Sequence, residues 1–255
     1  MKKLRILLIF VFLGLLWEGA AWAADSASGL GSSWIKLPYL HHVLLAMFQE
    51  RQVLWPQSIS TLVSAGKGFL LGALVGVLTA ITMSGSRWAE KTIFPYLILA
   101  QMLPVLGLAP MVFGMVRDGD LARVIIAAYI TFFPVSVNML SGLKSAEKEK
   151  RELMYSYSAS KIQLYSKLLL PSAVPGLFTG LKIAAPLSIT SAILVEIMGA
   201  NSGVGILILR SLYYGSAQAA NFWATVLDSA CLGIFSYIFI VSIERAFARW
   251  TKAAL

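Results

Sequence analysis

Six predominantly apolar stretches recur along the chain, near Ile6–Ala23, Ile59–Met83, Ile93–Val116, Leu121–Leu140, Ala173–Met198 and Phe222–Ile243. Each approaches or exceeds the roughly 20 residues that carry a helix across a bilayer. Their length and lack of strict alternation predict helices, not strands. Three polar connections exceed ordinary turns: residues 24–58, 141–171 and 199–221. Within 24–58, Trp34, Pro38, Trp55 and Pro56 suit a segment lying partly along the interface. The pattern predicts an all-α integral membrane bundle of about six spans.

Composition agrees with this reading. Of 255 residues, 58% are hydrophobic and 13% charged, against about 25% charged in soluble domains, and the mean hydropathy is +0.77. Such a chain is neither a soluble enzyme, nor disordered, nor a nucleic-acid binder. The net charge of +9 is distributed unevenly. With the first residues inside, fourteen cations fall on the inner side and four (Lys36, Arg51, Arg117, Arg210) on the outer. Cationic loops stay cytoplasmic, so both termini are expected inside, N-in and C-in. Residues 1–23 read as a retained anchor. Ala21-Trp22-Ala23 after Lys2, Lys3 and Arg5 also fits a cleaved signal peptide, and either reading leaves residue 24 outside. The single cysteine, Cys231, excludes an internal disulfide.

The inner connection carries the strongest functional pattern. Between Lys150 and Leu170, Leu153, Met154, Tyr157, Ile162, Tyr165, Leu168 and Leu169 recur at helical spacing, interrupted by Ser158 and Ser160. Two short helices meeting there present an apolar, aromatic face to the cytoplasm, which marks a partner surface; a helix lying on lipid headgroups is the alternative. Gly68, Gly72 and Gly76 recur every fourth residue and suit close helix packing. Pro104, Pro110, Pro134 and Pro186 fall within apolar spans and are expected to bend them. Lys67 and Asp228 lie at matching depths from the outer face. Intramembrane charges need partners, so these two are expected to pair. Gln101, Met102, Asn138, Ser188, Thr190 and Ser191 are candidate path-lining groups near the midplane, with helix packing as the other role for each. Lys67 sits in S-A-G-K-G-F, which lacks the phosphate-cradling G-x-x-x-x-G-K-[ST] pattern. Adjacent His41 and His42 diverge by about 100° on a helix and make a poor metal pair.

The inner loop resembles the EAA loop of importer-type ABC transporter permeases. Glu152 stands at the Glu position, Leu168 at the aliphatic one, and Leu170-Pro171 at the Leu-Pro. Leu153-Met154 replaces Ala-Ala, and Ser158 stands where the family has Gly. Phe133-Pro134, Asn138, Gly142-Leu143, Gly180-Leu181-Lys182, Glu196-Ile197-Met198-Gly199 and Gly203-Val204-Gly205 are similar to the nitrate/sulfonate/taurine branch. Residues 152–160 and 132–138 look most like permeases for riboflavin and thiamin-precursor pyrimidines.

This resemblance implies a permease core over 59–250 with its coupling loop at 144–171. Glu152, Leu153, Met154, Tyr157, Ser158, Ala159, Ser160, Leu168, Leu170 and Pro171 would then meet a cytoplasmic ATPase. It also implies ATP and Mg on a separate ATPase dimer, with no cofactor, metal or catalytic residue on this chain. A second permease copy and an external or periplasmic solute-binding protein complete the assembly in the bacterial inner membrane. Cargo is expected to be a small organic nutrient, flavin- or pyrimidine-like, or alternatively a sulfonate- or nitrate-type anion. An ion-coupled carrier or membrane-embedded enzyme is the rival of another class.

Overall fold

A computed structural model describes residues 2–27, 37–214 and 218–253. The described residues are helical throughout, joined by turns: α1 (Lys2–Ala27), α2 (Leu40–Gln49), α3 (Arg51–Gly85), α4 (Arg87–Met102), α5 (Val105–Val116) and α6 (Gly119–Lys144). There follow α7 (Lys148–Ser156), α8 (Lys161–Leu164), a π-helical turn (Tyr165–Leu169), α9 (Leu170–Ile197), α10 (Val204–Tyr213) and α11 (Ala219–Ala253). Among the described residues, four helical stretches are long and apolar enough to cross a membrane: Arg51–Gly85, Gly119–Lys144, Lys161–Ile197 and Ala219–Phe247. The bent pair α4–α5 adds a fifth if it is one span. The outer cation Lys36, the interfacial Trp34 and residues 215–217 of the outer connection lie outside the described residues.

Two boundaries differ from the hydrophobicity pattern. Residues 40–49 and 51–58, read as part of a connection, are helical, and α3 starts eight residues before the apolar run at Ile59. Pro56 lies inside α3 in its second turn and removes one backbone donor there. The third apolar stretch is not one helix. It turns by 93° between α4 and α5, because Pro104 holds Leu103 extended (ψ 124°) and ends α4. Tyr129 donates its hydroxyl to the Ala100 carbonyl near this end of α4, as apolar surroundings require of exposed backbone. Pro110, Pro134 and Pro186 instead sit inside continuous helices.

The centre of the bundle is α6, clasped between α3 and α9. On the α3 side, a Cβ at Gly68 would lie 2.5 Å from Ala127 Cβ and 2.6 Å from Val124 O, and one at Gly72 would meet Ala128 O. A Cβ at Gly76 would lie 2.9 Å from Phe132 O. On the α9 side, Cβ atoms at Gly176 and Gly180 would lie 2.5 Å from Asn138 O and 2.7 Å from Pro134 O. Small residues on both flanks therefore bring three backbones into contact, the packing membranes favour when apolar burial gives no drive. Asp118 caps α6 by accepting from the backbone N–H groups of Asp120 (2.8 Å) and Leu121 (3.2 Å). At the inner end, Ala80, Met83, Leu97, Leu143, Leu164, Leu169 and Ala173 form an apolar core that ties α3, α4, α6, α8 and α9 together.

Candidate functional site

The connection between α6 and α9 folds into two short helical arms, the lever of the expected coupling loop. Its first arm, α7, ends in a Schellman turn: Ala159 N donates to Met154 O (3.0 Å) and Ser158 N to Tyr155 O (2.9 Å). This geometry needs a left-handed residue just past the helix, and Ser158 takes it, at φ 53°. The turn forms with serine in the place where the family has Gly, and the cost is stored in the backbone, about 1–2 kcal/mol for an L-residue. Ser160 then starts α8 with a capping box, its hydroxyl accepting from Gln163 N (3.3 Å) while Gln163 Oε1 accepts from Ser160 N (2.8 Å).

The lever's two faces differ. Met154, Leu168 and Leu170 pack on the inner core around Leu164 and Leu169. Leu153 is exposed, and Tyr157 and Ile162 are 79% and 80% exposed. Glu152 is exposed, with Lys148 Nζ at 3.7 Å; Ala159 is half-buried, and Pro171 opens α9. Of the residues expected to meet an ATPase, then, Met154 points into this chain while Leu153 and Tyr157 point away from it.

At the other end lies a buried polar network that sequence reasoning did not assemble. Glu196, at the end of α9, is wholly buried. It accepts from Arg123 Nη1 (2.9 Å), Thr61 Oγ1 (2.8 and 3.0 Å) and Gly205 N (2.9 Å). Thr61 Oγ1 in turn accepts from Val204 N (3.0 Å). Arg123 also donates to Ser202 O (3.1 Å), to the Ser202 and Ser60 hydroxyls, and to Asp120. Gly203 has φ 115°, and any Cβ there would collide with the Glu196 carboxylate, so this position admits only glycine. The network joins α3, α6, α9 and α10 around Arg123, which pairs with both Glu196 and Asp120.

The expected Lys67–Asp228 pair is not formed. Asp228 Oδ2 accepts from Ser58 Oγ at 2.6 Å, while Lys67 is exposed between the packed positions Ala65 and Gly68. The depths match, but Lys67 is on the wrong face of α3. Another ion pair, Lys182 Nζ to both Glu244 oxygens (2.9 and 3.0 Å), joins α9 to α11. The path candidates divide. Gln101 and Met102 are exposed beside the α4–α5 bend, and Thr190 is exposed on α9. Asn138 is half-buried and donates to Pro134 O (2.8 Å). Ser188 and Ser191 are buried, donating to Ala185 O (2.7 Å) and Ser188 O (2.9 Å) within their own helix. Those two are packing residues.

Comparison with known proteins agrees with this arrangement. The chain is 29% identical over 251 residues to the formylaminopyrimidine transport permease protein ThiX of Halalkalibacterium halodurans, covering 98% of this chain and 97% of that one. It is 28% identical over 198 residues to the riboflavin transport system permease protein RibX of Chloroflexus aurantiacus, covering 78% and 73%. In fold it is similar to a solved amino acid ABC transporter determined with histidines. The TM-score is 0.62 at 17% identity, over 80% of this chain and 97% of that one. Residues 68–249 match the family described as the binding-protein-dependent transport system inner membrane component, and the chain belongs to that family: it is the membrane permease component of an ABC importer.

Proposed function

We propose that two copies of this chain enclose a path for a small pyrimidine- or flavin-like nutrient, opened alternately to either side. A separate ATPase dimer would drive it through the loop Glu152–Pro171, with a solute-binding protein delivering cargo outside. One observation carries the coupling role: the lever has one face glued to the inner core by Met154 and Leu164 and the opposite face, Leu153, Tyr157 and Ile162, left uncovered. A push on that face would reach α6 and α9 through the packed contacts of Met154, Leu164 and Leu169. Gln101, Met102 and Thr190, exposed on the apolar bundle, are the path-lining candidates. Similarity to the formylaminopyrimidine permease over nearly the full length of both chains supports the cargo class.

The test is reconstitution of the permease with its ATPase and binding protein in vesicles. Labelled formylaminopyrimidine should accumulate when ATP is supplied, and Tyr157→Glu or Ile162→Glu should abolish both uptake and co-purification of the ATPase. Accumulation of an aliphatic sulfonate instead would move the cargo to the anion class. Uptake that survives loss of ATP but not of an ion gradient would overturn the coupling reading.

A further inference from the structure

Beside the lever, at the inner end of the bundle, the ends of α3 and α6, the start of α4 and the arms α7 and α8 enclose a cleft of about 480 Å³. Four cations line it, Arg87, Lys144, Arg151 and Lys161, against a single carboxylate, Glu90. Glu90 is already engaged by Lys144 Nζ at 2.5 Å. Among the described residues, Arg87, Arg151 and Lys161 have no side-chain hydrogen bond or ion pair. The Arg151 Nε atom is shut off from solvent and unpartnered, a condition that costs about 1–3 kcal/mol when nothing accepts the proton. Ser86 lies in the same wall as the N-cap of the 16-residue α4, so the positive end of that helix faces the same space. Trp88, next to Arg87, is 76% exposed, and exposed tryptophan marks the headgroup level of a bilayer.

We propose that this cleft binds a phosphate-bearing anion, held by Arg87, Arg151 and Lys161 and capped by the start of α4. Guanidinium groups match phosphate oxygens two at a time, and basic pockets between membrane helices on the cytoplasmic side take anionic headgroups. The same chemistry is offered by an anionic phospholipid of the inner leaflet and by phosphate free in the cytoplasm. An occupant would bridge α4 to both arms of the lever and stiffen it at its root. Binding is read on this chain without an ATPase, so its failure is separate from any failure of the coupling role.

The full-length permease, delipidated in neutral detergent, is titrated with short-chain phosphatidylglycerol, with short-chain phosphatidylcholine and with inorganic phosphate, by calorimetry and by retention in native mass spectrometry. Phosphatidylglycerol binding without phosphate binding supports the lipid source, and binding of both supports free phosphate; phosphatidylcholine should bind at least tenfold more weakly. Arg87→Gln and Arg151→Gln should each weaken binding about fivefold, the ratio corresponding to about 1 kcal/mol per cation near an anionic surface. The exposed Lys91, outside the cleft, supplies the control, and Lys91→Gln should change nothing. Equal binding of all three probes, no binding of either anion, or equal losses in Lys91→Gln and Arg151→Gln would overturn the proposal. A variant that unfolds is recognised by its melting curve, and Arg151→Lys, which keeps the charge, should then restore at least half the affinity.

Discussion

Replacing Glu196 by glutamine should be among the costliest isosteric changes in the chain. The carboxylate is wholly buried and satisfies Arg123, Thr61 and Gly205 at once. Glutamine keeps one acceptor for Gly205 or Thr61 but removes the buried one of the two carboxylates paired with Arg123, whose side chain is 1% exposed. Removing one partner of a buried pair costs about 3–5 kcal/mol, because the survivor stays desolvated without its counter-charge. Asp120 and Ser202 still accept from Arg123, so the lower end, about 3 kcal/mol, is expected. Arg123→Met should cost a similar amount by leaving the carboxylate with only Thr61 and Gly205. In the double variant both charges are gone while the amide oxygen remains, and the cost should fall about 2 kcal/mol short of the sum. The seven tryptophans report unfolding in mixed micelles by fluorescence, which gives all four corners of the cycle. Additivity within 0.5 kcal/mol, the behaviour of independent sites, would show that the two side chains do not stabilise one another.

Three further outcomes follow from the packing and the turn. Ser158→Gly should stabilise the fold by about 0.5–1 kcal/mol, the left-handed penalty relieved less the greater unfolded-state freedom of glycine, read as a raised midpoint of thermal unfolding; Ser158→Val should lower it. Gly72→Ala should destabilise by about 1–3 kcal/mol, since its methyl would strike the Ala128 carbonyl and lie 2.7 Å from Thr131 Cβ. Gly66→Ala, with open space around it, should stabilise by up to about 1 kcal/mol, and equal effects at the two sites in the same unfolding assay would refute the close-packing argument. Ser58→Ala should weaken the α3–α11 contact by removing the sole hydrogen-bond donor described for Asp228, seen as faster amide exchange at the start of α11, whereas Lys67→Gln should leave that exchange unchanged.

The apolar pattern located the membrane-length helices and the inner lever because both depend on one-dimensional spacing. It failed where the outcome depends on rotation about a helix axis. Lys67 was paired with Asp228 on depth alone, yet one residue turns a side chain by about 100°, and Gly68, not Lys67, faces α6. The signal for the true pair was nonetheless present. Arg123 continues the packed series Ala122, Ile126, Ala127, Thr131, and Glu196 continues Ser188, Ile189, Ala192, Val195. A base and an acid on packed faces at the same end of neighbouring helices must meet or pay heavily for burial. The α4–α5 bend was half legible: Pro104 announced a disturbance, but four prolines looked alike, and only at Pro104 does the chain leave the helix.

The glycine contacts on both sides of α6 have a mechanical corollary. Backbones pressed together along about 27 Å of α6, from Val124 to Gly142 at 1.5 Å per residue, have little room to splay, and interiors so filled transmit strain instead of absorbing it. The trio α3, α6 and α9 therefore forms one stiff unit, with the α7–α8 arm at one end and the Arg123–Glu196 knot at the other. Around that unit, α10 and α11 are fastened by the Glu196 network and the Lys182–Glu244 pair, so the elbow at Pro104, where the chain leaves helical geometry, is the joint least constrained.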